Sequence, residues 1–217
     1  MKIRTLDELQ AKLDESSSWR RAEITYFHSQ LQSSKAIAQK HYLRAATALL
    51  YAHWEGLIKE QAQFYLAYLN AKKIPNRELT PGLLASSLRS RLVLLELSGD
   101  AKGQKGFATF LLEGGLEENA LFKEEIIDTG ANLSWAKFEQ ILVRLGISDV
   151  PYQVHRKMID RVVGWRNHIA HGQHWVKVDE TELTVSTFFE AEEVIVNIMK
   201  EFKRDIRLAA SNYSSSA

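Results

Sequence analysis

The run GWRNHIAHG, Gly164 to Gly172, puts an arginine, an asparagine and two histidines beside a glycine that can stop a helix. Those side chains suit one reaction in particular. Cleaving an RNA phosphodiester through its own 2′-hydroxyl needs a proton taken from that oxygen, charge stabilised on the crowded phosphorus, and a proton given to the departing 5′-oxygen. Imidazole, with a reference pKa of about 6.5, serves either proton step near neutrality. A guanidinium offers a fixed cationic fork to the non-bridging oxygens as their charge builds. Arg166 and His171 are therefore the candidate catalytic pair, and Asn167 stands where it can orient the imidazole or a phosphate oxygen. An arginine followed some residues later by a histidine occurs at Arg21 and His28, at Arg161 and His168, and at Arg166 and His171. Only the last pair has a polar residue directly after the arginine and a glycine directly after the histidine. The competing reading is structural: a cation favoured by the dipole at a helix C-terminus, followed by a left-handed glycine that ends the helix.

Helical geometry constrains the chemical reading. Residues five apart on a regular α-helix point about 140° away from each other. Arg166 and His171 then share a site only if the helix unwinds over Ile169 to Gly172, or if each meets a partner from a second copy of the chain. The second route expects a two-fold homodimer with the motif at an edge, held by apolar contacts that include Trp165 or its neighbours. The surroundings are basic: between His155 and Lys177, the cations Arg156, Lys157, Arg161, Arg166 and Lys177 face the single acid Asp160. A net charge of +1 does not itself mark a nucleic-acid binder. The local patch does more, with Arg161 and Lys177 as candidate RNA contacts and His174 as a supporting side chain. His168, His171 and His174 recur at regular intervals, but no carboxylate triad or cysteine joins them and Gly172 breaks the register, so no metal is expected. Glu55, in the segment HWEG, reads either as a surface or capping carboxylate on an amphipathic helix or, if buried, as the partner of an arginine. No phosphate-cradling glycine loop and no G-x-S-x-G occurs, and no cofactor is expected.

The elements that must position these residues are helical. A chain of 217 residues with 45% hydrophobic content can bury one core. Three prolines and eleven glycines leave long runs without a breaker, which favours an all-α bundle. Thr5 and Glu8 form a capping box before a first helix reaching about Gln32, with ESSS as a potential break. A second long helix is predicted from Lys35 to about Asn70. A third starts at Thr80 and Pro81 and runs through LLASSLRSRLVLLEL, after which Gly99, Gly103 and Gly106 loosen the chain. Phe107 to Thr129 reads as a short helix and an acidic connection. Ser134 caps WAKFEQILVRL, which Gly146 stops, and Pro151 opens the helix that enters the motif. A small β-hairpin is expected near 174–188, and Thr187 with Glu190 as the capping box of a final helix. With no repeat and no internal linker, residues 1–210 form one domain and 211–217 a loose tail. The absence of cysteine excludes disulfides and thiolate chemistry. No apolar run approaches the roughly 18 residues of a membrane helix, and MKIRTLDELQ lacks an export segment, so a cytoplasmic protein without membrane contact is expected.

RNHIAHG resembles the arginine, polar residue, spacer and histidine motif of the HEPN superfamily of helical ribonucleases. LLYAHWEGLIK and ANLSWAKFEQILVRLGI are similar to the corresponding segments of MAE-type HEPN-like nucleases, so the likeness covers patches between residues 36 and 175. It implies a HEPN-like helical bundle that dimerises so that two motifs face each other, cuts RNA without metal and leaves a 2′,3′-cyclic phosphate and a 5′-hydroxyl. It further implies a toxin or an anti-phage defence effector, with an antitoxin or a defence-system protein as partner. Carried over, Arg166 and His171 are the catalytic pair, Asn167 the polar position, and Glu55 the acidic residue of the family's tryptophan-glutamate-glycine segment. The superfamily also holds members that bind nucleotides or partners without catalysis, so a non-catalytic module in a toxin–antitoxin or defence complex is the alternative.

Overall fold

Two long helices carry the architecture. In the computed structural model, which describes residues 2–98, 100–174 and 176–214, α1 spans Leu6–Ser33 and α2 spans Ala36–Lys72. The capping box at the start of α1 forms as expected, with the Thr5 hydroxyl accepting from the Glu8 N–H and the Glu8 carboxylate accepting from the Thr5 N–H. The run ESSS does not break α1. Ser17 and Ser18 donate to carbonyls one turn back, at 2.8 and 2.7 Å, and Ser16 donates to Glu60 of α2 at 2.6 Å, so each hydroxyl is satisfied without leaving the helix. Arg20 is buried between the two helices and donates to Glu60 at 2.8 Å. Gly56 of the HWEG segment leaves room for it: a Cβ there would stand 3.2 Å from Arg20 Nη2.

The expected third helix is instead two. Pro81 does open α3 (Pro81–Ser87), but the chain turns at Leu88 into α4 (Arg89–Ser98), and α5 (Ala101–Leu112) follows. Gly103 and Gly106 lie inside α5 because the Asp100 carboxylate caps its first turn, accepting from the Gly103 N–H at 2.8 Å. The loosening expected at Gly99 lies outside the described residues. A 3-10 turn at Glu124–Ile126 precedes α6 (Trp135–Arg144), and Gly146 ends α6 in the left-handed conformation. The Ser134 hydroxyl does not cap α6. The Trp135 N–H donates instead to the Asp160 carboxylate at 2.9 Å, tying α6 to the helix that bears the motif.

That helix, α7 (Arg156–Ala170), follows a 3-10 turn at Val150–His155, where Pro151 sits. A hairpin of two short antiparallel strands, β1 (Lys177–Val178) and β2 (Thr181–Glu182), falls within the expected 174–188, whose Trp175 lies outside the described residues. The last helix, α8, spans Val185–Ser211. Its capping box is Thr184 with Thr187, three residues before the expected pair of Thr187 and Glu190, because the Thr187 hydroxyl donates back into the hairpin at the Glu182 carbonyl. Of the span 211–217, Tyr213 is buried and its hydroxyl accepts from the Thr80 N–H, while 215–217 lie outside the described residues.

α2 is the central element, packed against α1, α8 and α7. Trp54 of α2, Phe138 of α6, Tyr152 and Phe202 of α8 meet edge to face around Phe138 with centroids 4.8 to 5.9 Å apart, the arrangement aromatic quadrupoles prefer. Among the described residues no helix is long and apolar enough to cross a membrane.

Candidate active site

Arg166 points from α7 onto α2. Its guanidinium lies over the Tyr51 ring, 4.7 Å from the centroid, and Nη1 donates to the side-chain oxygens of Asn132 at 2.7 Å and Asn167 at 3.0 Å. Every one of these partners is neutral. Among the described residues Arg166 forms no ion pair, so its charge is oriented without being cancelled.

Tyr51 and Asn132 are locked in turn. The Leu133 N–H donates to the Tyr51 hydroxyl oxygen at 2.7 Å, and the Trp54 indole donates to the Leu133 carbonyl at 3.3 Å. The backbone beside Asn132 is thus pinned to α2 on both its donor and its acceptor. Burial pushes the Tyr51 phenol up to about 12; the Leu133 N–H opposes this, and Glu55, as a charge and as a hydrogen-bond acceptor, adds to it. Among the described residues Glu55 forms no ion pair with an arginine. It is half-buried one turn along from Tyr51 and adds to the upward shift that burial gives that phenol.

His171 ends α7 and is exposed. The Gly172 N–H donates to the Ile169 carbonyl and the Gln173 N–H to the His168 carbonyl, both at 3.0 Å, with Gly172 at φ +70°. This paired closure satisfies the last carbonyls and keeps α7 helical through Ala170, so unwinding does not bring His171 to Arg166. The His171 imidazole makes no hydrogen bond or ion pair among the described residues. Arg44 of α2 holds the exit from the motif, donating to the Gln173 carbonyl at 2.7 Å.

The other four residues expected at or near the site each have a distinct setting. Trp165, expected at a dimer contact, is fully buried and its indole donates to the Thr181 carbonyl at 3.4 Å, because the hairpin folds back over it. Gly164 makes that approach possible, since a Cβ there would lie 2.6 Å from Val178 Cγ2. Lys177 pairs with Glu180 across the hairpin turn, and Arg161 is half-buried with its Nε unpartnered among the described residues. His174 is exposed between the motif and the hairpin. His168 turns away from solvent at Nδ1, which has no partner. Among the described residues no group of histidines and carboxylates could hold a metal ion. Sequence reasoning does not single out Tyr51 or Asn132, although both lie in the segments that carry the resemblance; what selects them is their position opposite Arg166, which only the fold provides.

The helical bundle thus presents a fixed arginine on α7 and an exposed histidine at the end of the same helix. A family model described as RiboL-PSP-HEPN matches residues 15–207, and the chain belongs to that family. The HEPN superfamily expected from RNHIAHG is thereby established, with RiboL-PSP-HEPN as the matching family where the sequence patches pointed to the MAE type. HEPN domains are often ribonucleases, which gives the chain a nuclease-like or RNA-related setting. No curated protein and no solved structure matches the chain.

Proposed function

We propose that this protein is a metal-independent endoribonuclease that acts at a dimeric site and serves as a toxin or an anti-phage defence effector. The observation that carries this reading is the setting of Arg166: a half-buried guanidinium fixed by two amide oxygens and an aromatic face, with no carboxylate paired to it among the described residues. Such a cation is preorganised for charge that develops during reaction and needs no reorientation as it does so. His171, exposed at the end of the same helix, is available to substrate. In the reaction, an imidazole takes the proton of the 2′-hydroxyl as that oxygen attacks phosphorus. The P–O5′ bond breaks, the departing oxygen takes a proton, and the products are a 2′,3′-cyclic phosphate and a 5′-hydroxyl. Arg166 grips the non-bridging oxygens, while Asn132, Asn167 and Tyr51 act through it as positioning residues.

The test incubates purified chain with structured RNA in EDTA, beside Arg166→Ala and His171→Ala with helical circular dichroism retained. Cleavage that survives chelation, carries cyclic phosphate ends and is lost in both variants is the expected result. Cleavage that stops with the chelator, or that both variants sustain at full rate, overturns the mechanism. RNA that is bound but never cut by the wild type leaves the non-catalytic binding module in its place.

A further inference from the structure

No aspartate or glutamate occurs between Glu23 and Glu55, a stretch that holds Lys35, Lys40, His41 and Arg44 and includes the first half of α2. Lys40, Arg44, Ala48, Tyr51 and Glu55 follow one another at the spacing that lines up one stripe of a helix. One end of the stripe is the site itself, where Tyr51 lies beneath Arg166. Farther along, Arg44 touches the loop that leaves the motif, through the Gln173 carbonyl. Lys40 stands about 16 Å from Tyr51 at the rise of an α-helix. Lys40 and His41 are exposed, Arg44 is half-buried, and none of the three is in an ion pair among the described residues. The two other histidines of the acid-free stretch are answered by acids, His28 by Glu192 of α8 and His53 by Glu23 of α1. Lys177, by contrast, already has Glu180.

We propose that Lys40, His41 and Arg44 form a track that binds the backbone of single-stranded RNA and leads it to Arg166; this rests on the reading of that site as RNA-cleaving. Unpaired cations gain most from phosphate, because binding releases the counterions condensed on RNA without first breaking an ion pair. A single row of charge follows a single backbone, whereas a duplex would call for a second row. The stripe also explains why the Arg161 and Lys177 side of the motif is less suited to the role: one cation there is half-buried and the other neutralised.

The experiment titrates the full chain with a single-stranded 2′-O-methyl RNA, which lacks the attacking hydroxyl and stays intact, following fluorescence anisotropy across a series of salt concentrations. Lys40→Ala and Lys40→Ala with Arg44→Ala are compared with wild type and with Lys105→Ala, which removes an exposed charge from α5. Each track cation removed is expected to make the dependence of log K on log salt shallower by about 0.7 and to weaken low-salt binding by about threefold or more. Lys105→Ala should change the slope less. Arg44→Ala can also disturb the Gln173 loop, so exposed Lys40 carries the test by itself. A wild type that cleaves ordinary RNA while Lys40→Ala and the double variant keep the wild-type slope removes the track and leaves the active-site reading standing. A wild type that neither cleaves RNA nor binds the analogue removes both.

Discussion

The chemistry proposed for Arg166 would depend on the side chains that hold its guanidinium. Asn132 supplies an amide oxygen at 2.7 Å, so Asn132→Ala should free the guanidinium to rotate and slow cleavage by about tenfold or more, with little change in fold. Asn132→Asp is the sharper probe. It keeps the acceptor but adds a carboxylate that cancels the cation, so it should cost more RNA affinity than the alanine variant; equal losses would show that the uncompensated charge is not what the site uses. Tyr51 acts on the same arginine from below. Tyr51→Phe leaves the buried Leu133 N–H without its acceptor and should cost about 1–3 kcal/mol in denaturant unfolding. The folded phenol, pushed up to about 12 from 10.0, favours the protonated state in the native protein. Its contribution is whole below pH 10 and is lost as pH rises through 12, so the advantage of wild type over Tyr51→Phe should shrink across that window. An advantage that stays constant from pH 9 to 12 would mean the phenol is not held protonated by the fold.

At the level of elements, the motif helix is fixed by a hairpin that crosses it at a glycine. A Cβ at Gly164 would press into Val178 at 2.6 Å, so Gly164→Ala should lift the hairpin from Trp165 and destabilise the protein by about 1–3 kcal/mol. Val178→Ala placed beside it should return much of that loss, as thermal unfolding would report; a double variant no better than the single one would locate the strain elsewhere. These contacts mark the boundary of what the chain shows as a sequence. The Thr5 cap, the long helices α1 and α2, the Gly146 and Gly172 stops and the hairpin are all legible, because each rests on interactions within a few residues. Asn167 is legible as a motif position but not in its contact: the sequence reads it as orienting an imidazole or a phosphate oxygen, and in the fold it accepts from Arg166. The split of the third helix at Leu88 is not legible, since helix propensity is high on both sides and the turn is set by packing against α6. The setting of Glu55 is hidden for a similar reason: it lies one turn from Tyr51, and Tyr51 faces the motif only because α7 brings Arg166 across it. Trp165 shows the same limit in reverse, an aromatic beside the motif that serves the hairpin rather than a partner chain.

For the whole molecule, one chain holds the arginine firmly and leaves its motif histidine facing solvent, and α7 does not unwind to join them. In the proposed dimer, a second copy related by a two-fold axis would supply what is missing, since an isologous interface would bring each motif opposite the other. With Trp165 buried, the contact must come from elsewhere. The exposed line of α2 carries Ala45 and Ala52, whose small side chains let another backbone approach closely. Like charge opposes the pairing, because Lys40, Arg44 and Arg166 of both copies would gather near the axis. Added salt should therefore tighten the free dimer by screening that repulsion while weakening RNA binding, opposite signs that sedimentation and anisotropy can read on the same samples. The decisive arrangement mixes Arg166→Ala chains with His171→Ala chains, each inactive alone, after differential tags have verified that heterodimers form. One of the two facing sites then still pairs an intact arginine with an intact histidine, and cleavage should return to a sizeable fraction of the wild-type rate. Verified heterodimers that remain inactive, or wild-type monomers that cut RNA at full specific rate, would exclude a site composed across chains.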